Sequence, residues 1–504
     1  RSHQQAFHSG ANRDLERAKK MMGRRTSGAF LTALYCAAAL FVCWEKAAGQ
    51  ERFRRSAPYP GPLAELRLPD IQNVTLSNGL KVAVAQKPDS AFVSVQLVVL
   101  AGERDCPDNV PGAAAATASL LSRGTPALSS SDIEERIEAI GADFSSRVFL
   151  DYTIFIMDVL EDNLDQALEI LSLMTLQADF SDRELEGLKR TSYYELLEKG
   201  KDPEFVARAH LARLLFQGHP YQKGVYTEEV IRNITRKDIQ AFYGRFYRPN
   251  NALIILGGNL NLTTASRKIS HYFNTWTPRP VERDLLPEQK PNDKDVICVI
   301  DLPQARDATI YAGNLIMPLS SPDYFPFLVL NQALGGTTSS RLFMNLRESK
   351  GYAYYAFSET EFFKSCGLYW AKARVTPSAV YSAVQEILKD IRDLAVEKIS
   401  SFEIEQAKSF LIGNFPLKNE SLHALCYRLS LIRAFGLGDE HWNEFYDTIM
   451  LVNVDRGFET AQKYLLPKPI VVIVGDRNAV ADYLKDFDRV DVYDAKGKMR
   501  FTMM

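Results

Sequence analysis

The chain has 504 residues, of which 46% are apolar and 24% charged, with a formal net charge of −2 and an isoelectric point near 6.5. That length exceeds one ordinary core. The near-neutral charge supplies no electrostatic grip on nucleic acid, so that class of function is set aside.

In chain order, Arg24 and Arg25 precede an apolar run over residues 29–44, followed by the small residues Ala47, Ala48 and Gly49. This is the pattern of a secretory signal with cleavage before Gln50. The run is shorter than the roughly 20 residues a membrane span needs, and an uncleaved anchor is the alternative. Met21 and Met22 read as natural starts, so residues 1–49 are signal and upstream sequence and 50–69 an N-terminal extension. The mature chain is expected to be exported, periplasmic or secreted, and without membrane attachment. It keeps Cys106, Cys298, Cys366 and Cys426, widely spaced and without CxxC, and no disulfide framework is predicted.

The fold is expected to begin near residue 70, where VTLSNGLKVAVAQK sets Asn78-Gly79 between two β-rich runs, as in a type I′ hairpin. A strand FVSVQLVVLAG follows. Next come the alanine-rich helix PGAAAATASLLSRGT, the helical SSSDIEERIEAIGA, a strand-like RVFLDYTIFIMDVL, amphipathic helices to Leu215 and a strand NALIILGG. Residues 278–295, PRPVERDLLPEQKPNDKD, have the composition of a linker.

Beyond it the order starts again. VICVID and DATIYAGNLI read as strands, PDYFPFLVLNQAL and SSRLFMNLRES as helices, and YAYYAFSE and GLYWAKARV as strands; more helices lead to a final strand IVVIVGD. FSDRELEGLK at 180–189 parallels ISSFEIEQAK at 399–408, an offset of 219, and ITRKDIQAFYGRF at 234–246 parallels VNVDRGFETAQKY at 452–464, an offset of 218. Two matching offsets indicate a duplication. The predicted fold class is α+β: two homologous tandem domains, 70–277 and 296–490, each a mostly antiparallel sheet covered by helices, with 491–504 as a tail.

TLSNGLKVAV, a helix ending in RGT, and GGTTSSRLFMNLRESKGYAY in the second copy together resemble the pitrilysin or insulinase family of inverted zinc peptidases, in the short branch that includes mitochondrial processing peptidase. The resemblance covers residues 70 to about 490 and implies that the chain forms half of a clam-shell peptidase chamber. In that family the first helix carries H-x-x-E-H, whose i, i+4 histidines share a helical face and hold zinc while the glutamate serves as base. Counted back from Arg123-Gly124-Thr125, the histidines fall on Ala115 and Ser119 and the glutamate on Ala118. None can ligate zinc or take a proton.

The seven histidines are His3, His8, His210, His219, His271, His423 and His441, and no two stand four residues apart, so no H-x-x-E-H or H-E-x-x-H exists elsewhere. The resemblance places the third zinc ligand at Glu195, which reads equally well as a solvated helix glutamate. No metal or cofactor is expected in this chain.

Family members also bind substrate with an arginine and a tyrosine seven residues apart, here Arg347 and Tyr354 in RESKGYAY. The other reading of the two is a surface arginine and a packed strand tyrosine. Alternation along a strand would put Tyr352 and Tyr354 on one face and Tyr355 on the other. Arg347 would donate to a substrate carbonyl and Tyr354 to a developing oxyanion.

The resemblance thus implies a non-catalytic subunit of a heterodimeric zinc metallopeptidase. It would bind unfolded peptides and lend the Arg/Tyr pair to a homologous partner that carries the zinc. The alternative is a proteolytically inert scaffold or peptide-binding protein of the same fold.

Overall fold

The structure is a computed structural model that describes residues 69–503, except 225 and 226. The leader and the extension lie outside the described residues. Strands β1 (Ile71–Thr75) and β2 (Lys81–Gln86) pair antiparallel across the Asn78-Gly79 turn. The turn is not type I′, which needs positive φ at both central residues. Gly79 alone is left-handed, at φ +86°, and its N–H donates to the Leu76 carbonyl at 2.9 Å. This is a type I turn closed by a left-handed glycine. The Asn78 side chain is occupied instead in donating to the Phe273 carbonyl at 2.9 Å.

After β3 (Phe92–Val99) come helices α1 (Ala113–Leu121) and α2 (Ser130–Ala139). RVFLDYTIFIMDVL is a hairpin rather than one strand, β4 (Asp143–Val148) and β5 (Thr153–Leu160), because Asp151 at its tip is tied to groups elsewhere in the fold. Helices α3 (Leu164–Leu176), α4 (Asp182–Lys199), α5 (Pro203–Leu215), α6 (Glu228–Asn233) and α7 (Arg236–Phe246) lead to β6 (Ala252–Gly258) and α8 (Leu262–Phe273). No helix or strand lies between Phe273 and Val296.

The second half holds β7 (Val296–Asp301), β8 (Ala308–Ile316), α9 (Tyr324–Gly335), a π-helical turn (Phe343–Ser349), β9 (Ala353–Phe362), β10 (Gly367–Val375), α10 (Val380–Val396), α11 (Ser401–Lys418) and α12 (Leu422–Phe435). It continues with α13 (Glu440–Asn443), α14 (Phe445–Leu451), α15 (Val454–Leu465), β11 (Ile470–Gly475), α16 (Arg477–Leu484), β12 (Val490–Asp494) and β13 (Met499–Met503). IVVIVGD is therefore not the last strand. Residues 491–503, expected to be a tail, extend the second sheet, with Val490 and Val492 buried beneath it.

The first sheet has the order β1-β2-β6-β3-β5-β4 and the second β13-β12-β7-β11-β8-β10-β9. Among the described residues only β2–β6, β7–β11 and β7–β12 are parallel. The duplication reaches individual helix caps. Ser181 and Ser400, an offset of 219, accept from the N–H groups of Glu184 and Glu403 at the starts of α4 and α11. Thr235 and Asn453, an offset of 218, cap α7 and α15 in the same way.

The halves exchange one helix each. α5 buries Val206, Ala207 and Leu211 against Ile300, Tyr311 and Val472 of the second sheet. α12 buries Cys426 and Leu429 against Val98 and Ile255 of the first. Each docking site depends on a glycine. A Cβ on Gly257 would lie 2.3 Å from the Cys426 Sγ, and one on Gly313 would lie 2.9 Å from Leu211 Cδ2. The described residues form one compact unit. Its four cysteines are free and buried, with burial pushing the Cys366 and Cys426 thiols up to about 12. No helix among the described residues is long and apolar enough to cross a membrane.

Candidate functional site

α1 starts at a left-handed Gly112, φ +86°. Ahead of it, the buried Glu103 carboxylate accepts from the Gly112 N–H at 3.0 Å and the Ala115 N–H at 2.9 Å, a negative charge placed at the positive end of the helix. Ala113, Ala114, Ala116 and Ala118 pack into the core under the first sheet. Alanine has the highest helix propensity, so the helix holds without polar side chains.

Ala115 and Ser119, one turn apart, line a cavity of about 590 Å³. Glu195, from α4, lines it too, with its carboxylate 3.8 Å from Lys199 Nζ and mostly exposed. Ala118 is 3% exposed and belongs to the core, not to the cavity wall. The structure thus brings together Ala115, Ser119 and Glu195 of the expected set.

The rest of the cavity was not legible from the sequence. α5 contributes Phe205, Arg208 and Ala212, and the β9–β10 turn contributes Phe363. The exchanged helix α12 adds Tyr427, Leu431 and Phe435. Beneath lies a buried polar knot in which Asp151 accepts from Arg104 Nη1 at 2.7 Å, Tyr221 Oη at 2.9 Å and the Lys364 N–H at 2.8 Å. Asp151 stands in the sequence within the apolar strand-like run RVFLDYTIFIMDVL, with nothing local to mark its distant partners.

Arg347 and Tyr354 do not line this cavity. Arg347 stands at the end of the π-helical turn, its guanidinium 4.9 Å from the Phe343 ring centre and its Nε 3.7 Å from Glu348 Oε1. Gly351 follows at φ +65°. Ala353 pairs with Val375 and Tyr355 with Arg374, so Tyr354 is the extra residue of a β-bulge and is 56% exposed. The bulge breaks the expected alternation. Tyr352 packs against the second core, whereas Tyr355 turns the other way and donates to the Glu204 carboxylate of α5. π-turns and bulges both tend to mark sites that aim side chains outward for function.

The sequence matches the insulinase (peptidase family M16) domain over residues 81–229 and the peptidase M16 inactive domain over residues 233–411. The chain belongs to peptidase family M16. Over 359 residues it is 26% identical to an uncharacterized zinc protease of Mycobacterium leprae, covering 70% of this chain and 80% of that one. It is 23% identical over 319 residues to a non-peptidase homolog of Helicobacter pylori, covering 62% and 72%. The crystal structure of a peptidase M16 inactive domain from Pseudomonas fluorescens superposes with a TM-score of 0.75 at 20% identity, covering 81% of this chain and 98% of that one.

The metal that family M16 implies does not fit here. Ala115 and Ser119 face the cavity with a methyl and a hydroxyl, neither of which suits zinc. No histidine lines the cavity. Among the described residues no group of three or more histidine, cysteine, aspartate or glutamate side chains could hold a metal ion. What the cavity offers is an apolar hollow with charged groups at its rim.

Proposed function

We propose that this chain is the non-catalytic subunit of a heterodimeric zinc metallopeptidase, an exported protein that binds unfolded peptide and presents Arg347 and Tyr354 to a zinc-bearing homologue. One observation carries the reading. The pair stands exposed and away from the chain's own cavity, whose wall carries no histidine, which supports a role on a site held by another polypeptide.

The partner would supply zinc, two histidines and the general base, and the metal would activate the attacking water there. In this chain the Arg347 guanidinium can donate to a substrate carbonyl, while the Tyr354 hydroxyl can donate to oxygen as it turns anionic. An unfolded strand would be held mainly through its backbone, which tolerates varied sequences.

The purified chain supplied with Zn²⁺ is expected to leave a quenched peptide substrate uncut, and turnover should appear when a zinc-bearing homologue is added. Arg347→Ala should then lower kcat of the complex on the order of a hundredfold, the effect of removing one transition-state donor. Metal-dependent turnover by the chain alone would overturn the proposal. A fully active Arg347→Ala complex would leave the inert scaffold as the better reading.

A further inference from the structure

Tyr427 and Leu431 of α12 also form the wall of a second, smaller pocket of about 240 Å³. Its other walls come from β4, β5 and the end of α11, and it is lined by Arg147, Lys418, His423 and Arg428 but by no aspartate or glutamate. Among the described residues Arg147, Lys418 and Arg428 have no carboxylate partner. His423 is turned to Asp158, Nδ1 to Oδ2 at 2.6 Å.

Arg428 is sandwiched in place. Its guanidinium lies 4.7 Å from the Phe415 ring centre and 4.2 Å from that of Trp442, and its Nε donates to Asn419. Burial pushes it down to about 10, which still leaves it charged at neutral pH. Trp442 also lines the pocket; it is 5% exposed and its indole Nε1 has no acceptor.

A half-buried guanidinium without a counter-charge and a buried N–H without an acceptor are both costly arrangements. One oxyanion seated among them would relieve both. The volume suits a carboxylate on a short stem. The shared wall at Tyr427 and Leu431 places that carboxylate beside an apolar hollow large enough for an aromatic side chain, which points to a peptide rather than to a free anion.

We propose that the smaller pocket is a carboxylate anchor, holding the C-terminus or an acidic side chain of a peptide whose neighbouring apolar side chain fills the larger cavity. The inference rests on the peptide-binding reading above and adds the kind of peptide.

The test is fluorescence anisotropy at low ionic strength with the full chain and four short labelled peptides that differ only at their ends. They terminate in Phe-Glu or Phe-Gln, each as free acid and as amide. The Phe-Gln amide should bind at least about tenfold more weakly than the Phe-Glu acid, as expected for loss of a charge-assisted contact. The two intermediate peptides show whether the terminus or the side chain is read. Arg147→Ala with Lys418→Ala, both at exposed positions, should reduce the preference severalfold, Arg428 keeping the rest, while leaving the affinity for the Phe-Gln amide unchanged.

Equal binding of all four peptides, or a preference undiminished in the double variant, would sink the anchor and leave peptide binding standing. Displacement by inorganic phosphate as effective as that by the acidic peptide would also sink it, since the pocket would then read any oxyanion. Absence of binding by every peptide would remove the peptide-binding reading and the anchor with it.

Discussion

Asp151→Ala should destabilise the folded chain by about 3–5 kcal/mol, read as a lower urea midpoint with an unchanged slope. Asp151 and Arg104 are ion-paired at 2.7 Å with side chains only 2% and 8% exposed. Removing the carboxylate leaves the guanidinium buried with only Asp105 nearby, its closest approach being 3.7 Å. It also strips the acceptor from Tyr221 Oη and from the Lys364 N–H. These groups belong to the β4–β5 turn, the segment after α5 and the β9–β10 turn, so the loss falls where the two halves meet. Asp151→Asn, which can keep the bond to Tyr221 but not the charge, should fall between wild type and Asp151→Ala. A change under about 1 kcal/mol in Asp151→Ala would mean that Arg104 finds water or another partner. Because Asp151, Tyr221 and Phe363 line the larger cavity, the same substitution should weaken apolar ligand binding there.

Acidification should cost stability well above the carboxylate range, through His210. This α5 residue is 5% exposed, packs edge-on against Tyr493 at 5.3 Å and has no partner for Nε2. Burial, with the nearby Arg213 charge, pushes it from 6.5 down to about 4. Between those values the unfolded chain binds a proton that the folded chain refuses, so stability falls as pH drops from about 6.5 to 4 and levels off below. A shift of this size corresponds to about 3 kcal/mol. His210→Leu should flatten most of that slope in urea titrations at successive pH values. Its remainder would come from His219 and His441, which burial also shifts down. A distinct acid limb should appear below the usual aspartate range. Burial would raise the Asp323 carboxyl, but bonds from Lys463 and Tyr464 and the Arg456 charge outweigh it and hold it low, so its contribution is lost only on further acidification. An unchanged slope in His210→Leu would refute the assignment.

The duplication, the α+β class and the imidazole-free first helix are legible in the residues alone. They rest on local relations: caps three residues from their donors at Ser181 and Ser400, alternation along FVSVQLVV, and residue types at i and i+4 in α1. The same local logic misjudged the Asn78-Gly79 turn, the β4–β5 hairpin, the last two strands and the facing of Tyr352 and Tyr354. At each of these a distant partner or a bulge overrides the period.

What the amino-acid sequence determined alone is that this helix carries no imidazole and that Arg347 and Tyr354 stand seven residues apart. Only the tertiary structure decided that α5 and α12 cross to the opposite sheets, that Tyr354 bulges outward, and that Arg147 meets Arg428 in one pocket. Those outcomes depend on contacts between residues hundreds of positions apart, such as Asp151 with the Lys364 N–H at a separation of 213. Such contacts form when apolar faces of separate elements compete for the same buried surface, and local periodicity carries no record of which face wins.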